Sequence, residues 1–502
     1  MKNLKKLAFI LVILSSFLLF ACGDDVTTPG GDDNGDLATT EPQNISEDDN
    51  DDIEPDYIYD GLSGLDFGGR AFNIYAFGAE VTRIEFDAEE LTGSVINDAV
   101  YHRNRAVEER LNVELNINFS GAGSTDVGAA AERNVRAGDH VNHVYYGHVM
   151  RMGQTALNNV FMDIYSLGHI DFSRPWWPDM AVENLTIGGR AILMVGEANL
   201  SFLLAAYGVF FNTQIADDGG LPPSELYRMV LDGQWTIERK TMIVRDFARD
   251  LTGGGGELTP DDQFGLMTTT GFAASAYMWG FGQTLVHFDR EGMPYLNLPN
   301  PVLNDIVQRI YDLYFHTHGV WSVPFDNQAW RYAEPLRNGN TFMINHYLHT
   351  ALRLRDLETD FGILPYPKLH EHQERYFSVA DGFHTAFAVP LTTPHEDFNF
   401  VGAVIESLNA ETYRTVVPAY YDTALQLQGA RDVESQLVMD MIRDGRLVDF
   451  GCVYDGWEGF AFAISNLMQR RSPDFASFEE RYEGRARRQF ERVVAAFERL
   501  DG

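Results

Sequence analysis

Cysteine is almost missing from this chain. Cys22 and Cys452 are its only two in 502 residues, too few for a disulfide framework once Cys22 is otherwise engaged. Cys452 sits in the apolar run Phe450-Gly451-Cys452-Val453-Tyr454, where a buried, inert thiol is expected. Positive charge is also scarce: 38 Lys and Arg face 73 Asp and Glu, a net charge of −35. No basic stripe is visible along the sequence, which argues against nucleic acid as a partner and against direct binding of anionic headgroups. Beyond the first 21 residues no apolar run is long enough for a membrane span. There is no Gly-x-Ser-x-Gly elbow, no His-Glu-x-x-His and no phosphate loop. With so many acids, a carboxylate pair of the glycosidase kind stays open.

What is present begins at the N-terminus. Lys2, Lys5 and Lys6 precede an apolar run from Leu7 to Ala21. A basic start and a short apolar core read as a secretory signal peptide. The run ends Leu19-Phe20-Ala21-Cys22, which resembles the bacterial lipobox; Phe20 is bulkier than usual there. The resemblance implies cleavage after residue 21 and a diacylglycerol on Cys22. Gly23 to Asp60 holds fourteen Asp and Glu and no Lys or Arg. Such a segment is too apolar-poor to offset its ordering entropy, so residues 22–64 are expected to form an acidic tether.

The body from Leu65 onward is roughly 440 residues, more than one hydrophobic core normally supports, so two lobes are expected. Arg70 to Phe77 alternates as a strand, Ile96, Val100, Val107 and Leu111 recur at helical spacing, and Val113 to Phe119 alternates strictly. That is a βαβ unit, which implies parallel strands and a right-handed crossover. Further strands are expected at 143–146, 191–195, 208–211, 342–345, 361–364 and 386–389. Helices are expected at 126–136, 236–249, 302–314 and 478–500. The class is α/β, without an internal repeat.

Several phrases then resemble the extracellular solute-binding proteins of sugar ABC importers, the family that includes maltose-binding protein. They are Leu65-Asp66-Phe67-Gly68-Gly69-Arg70; Ala88 to Gly93 with Ile96-Asn97-Asp98-Ala99 and Arg103-Asn104-Arg105; and Arg174-Pro175-Trp176-Trp177 with Gly188-Gly189. The others are Leu226-Tyr227 with Asp232-Gly233-Gln234-Trp235-Thr236, then Leu357 to Pro365, and Val417-Pro418-Ala419-Tyr420-Tyr421. The resemblance spans nearly the whole body and lies in the order of the phrases. It implies a two-lobed type II Venus-flytrap that closes by hinge bending. Lobe 1 is expected at 65–200 plus 365–410 and lobe 2 at 201–364 plus 411–502. Crossings are expected near Asn199 to Gly208, Leu364 to Pro367 and Ala410. One departure concerns a loop that carries calcium-like ligands in relatives. Thr252 and Gly254 occupy positions that a calcium loop fills with oxygen side chains, so Asp250 to Asp262 reads as a flexible turn. No metal and no cofactor are expected.

A sugar site needs aromatic planes to stack on and polar side chains for hydroxyls, beyond the carboxyl ends of parallel strands. That rule selects Tyr146 and His148, Asn199 in the first crossing, and Asn345 and Tyr347. The resemblance adds Tyr277 and Trp279 as a stacking segment, and Asp381 and Phe383 near the second crossing. Trp177, one of the Trp176-Trp177 pair, is a further candidate; Trp235 reads as a structural anchor, with Trp321 and Trp457 held in reserve. The expected function is capture of a small solute, most simply a carbohydrate, by a monomeric protein. Its N-terminal lipid holds it on the extracytoplasmic face of the membrane, where it serves an ABC importer. An exported glycosidase or a surface-interaction lipoprotein are the alternatives.

Overall fold

A computed structural model describes residues 58–255, 257–324, 334–354, 360–427, 432–454 and 456–499. The expected signal peptide, the tether up to residue 57, Cys22, the Leu357-Glu358-Thr359 part of one phrase and the Trp457 side chain lie outside the described residues.

Two sheets organise the described body. The first contains β1 (Arg70–Ala76), β2 (Val113–Phe119) and β3 (Val144–His148). The second is drawn from β4 (Tyr207–Asn212), β5 (Phe264–Thr269), β8 (Val320–Val323), β9 (Thr341–Tyr347) and β10 (Phe361–Pro365). A hairpin of β6 (Val286–Phe288) and β7 (Pro294–Leu296) lies apart from both. The remaining strands are β11 (Ser378–Val379), β12 (Thr385–Ala388) and β13 (Arg446–Leu447).

The first sheet has the order β12-β3-β1-β2. β1 runs parallel to β2 and to β3, whereas β12 joins antiparallel to β3 with Thr385 opposite His148. The helix Val95–Leu111 makes the crossover from β1 to β2, burying Ile96, Val100, Val107 and Leu111 on one face. It ends at Asn112 in the left-handed region, φ 50°, a conformation Asn tolerates better than most residues. The second sheet has the order β10-β4-β9-β5-β8. β5 is parallel to β8 and β9, and β4 is antiparallel to β9 and β10.

Two sheets, each covered by its own helices, make the fold a two-lobed α/β Venus-flytrap. The connecting segments lie side by side: Ala206 bridges antiparallel to Ala380, and β11 runs parallel to β13. Trp235 is buried and its indole N–H donates to the Pro365 carbonyl at 2.8 Å, the anchoring role read for it. The helix Phe398–Glu411 packs on Val95–Leu111, then passes through a π-helical turn, Thr412–Val416. The continuing helix Val417–Leu427 touches both Val95–Leu111 and Thr350–Arg353.

The expected strand at 191–195 is not one. Ala191 to Val195 is buried, but it makes only the single bridge of Met194 to Phe387 before turning at Gly196. Its apolar run reflects burial alone, which periodicity cannot separate from a strand. Six strands escaped the sequence: β5 and β8 of the second sheet, and the short β6, β7, β11 and β13. β5 is buried on both faces and so does not alternate.

Candidate functional site

The carboxyl ends of β5 and β9 bring the most distinctive surface together. β5 ends at Thr269, and the helix Phe272–Gly280 starts three residues later. β9 ends at Tyr347, directly opposite Tyr207 at the start of β4. Across the connecting segments lies the loop Asp381-Gly382-Phe383, which enters β12. It is held by Asp381 N–H donating to Ala205 O at 2.9 Å. A Cβ on Gly382 would lie 2.5 Å from Met150 Sδ, so the loop packs closely on the Met150 side chain of the helix that follows β3.

These elements build an aromatic cluster around one carboxylate. The Tyr207 hydroxyl donates to Asp381 Oδ2 at 3.2 Å. Tyr207 stacks on Phe272 (centroids 5.6 Å, 28°), and Phe272 stacks on Trp279 (5.3 Å, 19°). Tyr347 meets Phe383 edge-on at 5.3 Å and Tyr207 at 6.1 Å, and Phe462 meets Phe272 at 6.2 Å. Tyr347, Phe272, Phe383, Phe462 and Asp381 are half-buried. Burial pushes the Asp381 carboxyl up to about 6, against the lowering effect of the Tyr207 hydroxyl. Burial, with Asp381 beside it, likewise pushes the Tyr347 phenol up to about 12.

Two half-buried histidines flank the cluster. His148 ends β3, and His349 follows Tyr347 at 6.4 Å between rings. Burial first, then Arg151 or Arg353 respectively, lowers each to about 4, so both are neutral at pH 7. Nδ1 of each is without a hydrogen-bond partner, as is the buried Thr270 hydroxyl just before Phe272. Neutral rings, phenols, an acid and unpaired polar atoms suit an uncharged, hydroxyl-bearing ligand.

Of the ten ligand candidates read from the sequence, Tyr347, Asp381 and Phe383 come together here, and His148 lies on the strand beside β12. The other six are taken up in the interior. Tyr146 packs on Phe86 at 4.7 Å and on Phe387. Trp176 and Trp177 both donate their indole N–H to buried Glu406, at 2.8 and 3.0 Å. Burial raises the Glu406 carboxyl to about 8. Asn199 spends its amide on Gly196 N–H and the Thr385 hydroxyl. Tyr277 and Asn345 serve the fully buried Lys240, whose Nζ donates to the Tyr277 hydroxyl at 2.9 Å and to Asn345 Oδ1 at 2.6 Å. Trp279 is buried beneath Phe272, one layer behind the surface.

Sequence reasoning missed Tyr207, Phe272, Phe462 and His349. The carboxyl-end rule overlooks Tyr207 because it opens an antiparallel strand, and Phe272 because β5 went unread. A His two residues past Tyr347 was a usable signal.

The loop from Asp250 to Asp262 is organised rather than slack. Asp262 accepts N–H groups from Leu251, Thr252 and Thr259, plus the Thr259 hydroxyl. Asp250 accepts from Gly253, Gly254 and Gly255. Both carboxyls are held below their ordinary range by these donors. Their oxygens serve N–H groups, which is not the coordination a calcium loop presents. Among the described residues, no cluster of three or more His, Cys, Asp or Glu forms a metal site.

No family model matches the chain, and no curated protein matches it in sequence. Solved structures do match. One is a cyclo/maltodextrin-binding protein complexed with maltotetraose, 10% identical, TM-score 0.54, with 85% of this chain and 98% of that one covered. Another is the ABC substrate-binding protein Lmo0181 of Listeria monocytogenes in complex with cycloalternan, 11% identical, TM-score 0.51, covering 84% and 98%. A third is an ABC transporter solute-binding protein of Thermotoga lettingae bound with α-D-tagatose, 11% identical, TM-score 0.50, covering 85% and 100%. The chain has the ABC solute-binding-protein fold. At such identities the likeness is one of fold, and the solute-binding-protein fold spans essentially the whole of each match. The aromatic cluster around Asp381 and the segments joining the two sheets are therefore read within that fold.

Proposed function

We propose that this protein captures a small, uncharged carbohydrate between its lobes and delivers it to an ABC importer. The observation that carries the reading is the half-buried set Tyr347, Phe272, Phe383 and Phe462 around Asp381, beside the segments joining the sheets. Aromatic faces match the apolar faces of a sugar ring, and the carboxylate with neutral histidines matches its hydroxyls. Binding is a population shift: a solute that touches both lobes only when they close favours the closed state. The lobes are proposed as 65–200 with 365–410, and 201–364 with 411–502. Cys22, by its lipobox resemblance, would carry the lipid that keeps the protein on the extracytoplasmic face. Among the described residues, no helix is long and apolar enough to cross a membrane.

The solved structures that match are solute-binding proteins, so binding without chemistry is the reading favoured here, whereas glycoside hydrolysis would need a facing pair of acids. Thermal shift against mono- and oligosaccharides, amino acids and peptides tests it, because a ligand of the native state raises the apparent Tm by mass action. A rise with a neutral sugar that Tyr347→Ala abolishes supports the proposal. Turnover of that sugar on long incubation overturns it.

A further inference from the structure

The net charge of −35 hides a positive face. The helix Phe475–Glu498 carries Arg481, Arg485, Arg488 and Arg492, all exposed. Their spacing of i, i+4, i+7 and i+11 places the four within a sector of roughly 60°, over about 16 Å of helix axis. The buried Phe478, Ala486, Val493 and Phe497 face the body. Glu480, Glu491 and Glu498 occupy a separate stripe roughly 90° away round the helix. Among the described residues, no carboxylate pairs with Arg481, Arg488 or Arg492, whereas neighbouring Arg487 pairs with Glu483 at 2.7 Å.

We propose that this arginine stripe docks the body on an anionic membrane surface by binding lipid headgroup phosphates. Three features favour a membrane over a protein partner. The stripe is straight and lies on one long helix. That helix exposes no large hydrophobic side chain, and protein interfaces depend on buried apolar or aromatic anchors. Guanidinium groups suit phosphate oxygens, which they bond in a planar, bidentate way. The Debye length at physiological salt is about 8 Å, so the acidic remainder is screened while the stripe acts at contact. Docking would orient the body over the headgroups. Averaging charge along the sequence misses the feature, because Arg and Glu alternate in the chain and separate only on the helix surface.

The inference rests on the extracytoplasmic placement proposed above, but its test does not use the solute. The chain from residue 23 onward, which retains the whole described body and lacks any lipid, is sedimented with phosphatidylglycerol-containing and with pure phosphatidylcholine vesicles. Binding to the anionic vesicles alone is expected. Each of the changes Arg481→Gln, Arg488→Gln and Arg492→Gln should lower partitioning about fivefold, following the ~1 kcal/mol contributed per basic residue near such a surface. Salt at 1 M, with a Debye length of about 3 Å, should release the protein. The quadruple variant R481Q/R485Q/R488Q/R492Q is checked by circular dichroism; should it misfold, the double variant R488Q/R492Q replaces it. Equal binding to neutral vesicles, or unchanged binding by the folded variant, overturns the proposal. So does binding to an acidic polypeptide or nucleic acid with none to vesicles. Loss of solute binding with vesicle binding intact would count against the functional reading alone.

Discussion

Lys240 offers the sharpest test of the structure. Its ammonium is completely buried in the helix Ile237–Asp246 and donates to the Tyr277 hydroxyl and to Asn345 Oδ1, both neutral. The Tyr277 and Tyr366 rings lie 5.3 and 5.6 Å from Nζ. Burial alone lowers its pKa well below the ordinary lysine value. Removing an ammonium from water costs several kcal/mol, and two neutral hydrogen bonds return about 0.5–1.5 kcal/mol each. Lys240→Met fills similar volume but strands Asn345 Oδ1, a loss of about 1–3 kcal/mol. The balance favours the variant, by about 1–3 kcal/mol at pH 7.

The sign of the pH dependence follows. A lysine whose pKa is lowered in the fold releases its proton at a lower pH than in the unfolded chain, which holds it up to pH about 10.4. Between the two pKa values the unfolded state holds one proton more. Stability therefore rises with pH by up to about 1.4 kcal/mol per unit, and the penalty is complete below the folded pKa. Urea unfolding of both proteins at intervals from pH 7 to 9.5 isolates this lysine, since all other groups are common to both. A wild type that is more stable than the variant at pH 7, with a gap that does not change with pH, would refute the reasoning.

Glu406→Leu leaves the Trp176 and Trp177 indole N–H groups without their acceptor. It should cost about 1–3 kcal/mol for each orphaned donor in urea unfolding. Glu197 and Arg446 form a buried pair, with Nη2 to Oε1 at 2.5 Å, that ties the first connecting segment to β13. Glu197→Ala should destabilise by about 3–5 kcal/mol because it abandons a buried guanidinium, and a calorimetric Tm reports it. Asp381→Asn keeps the shape but replaces the carboxylate that accepts from Tyr207. Solute affinity by titration calorimetry should fall by about 1.5–3 kcal/mol if the carboxylate bonds a hydroxyl directly, while the fold is retained. Gly153→Ala would place a Cβ 1.9 Å from the Val453 carbonyl oxygen, and poor soluble expression is expected.

Much of the fold was legible in advance where pattern and burial coincide. The β1–helix–β2 unit is half-exposed, so its periodicities of 2 and 3.6 survive in the residues from Arg70 to Phe119. Legibility fails where both faces are covered. Phe264–Thr269 and Ala191–Val195 are equally buried, yet one is a central strand and the other a single bridge. Of the candidate site, Tyr347, Asp381 and Phe383 were readable from their places at strand ends and in a family phrase. Tyr207, Phe272 and Phe462 are distant in sequence; sheet registry sets Tyr207 against Asp381 and Tyr347, and helix packing stacks Phe272 on Tyr207 and Phe462 on Phe272.

The sequence by itself determined the class of the protein: an acidic α/β body too large for one core, with strands and helices set by local periodicity. Only the tertiary structure decided which polar and aromatic groups stay on the surface. Burial depends on contacts between distant segments. That is why Trp177, Asn199 and Tyr277 became structural, while Asp381 stayed half-buried among its aromatic neighbours.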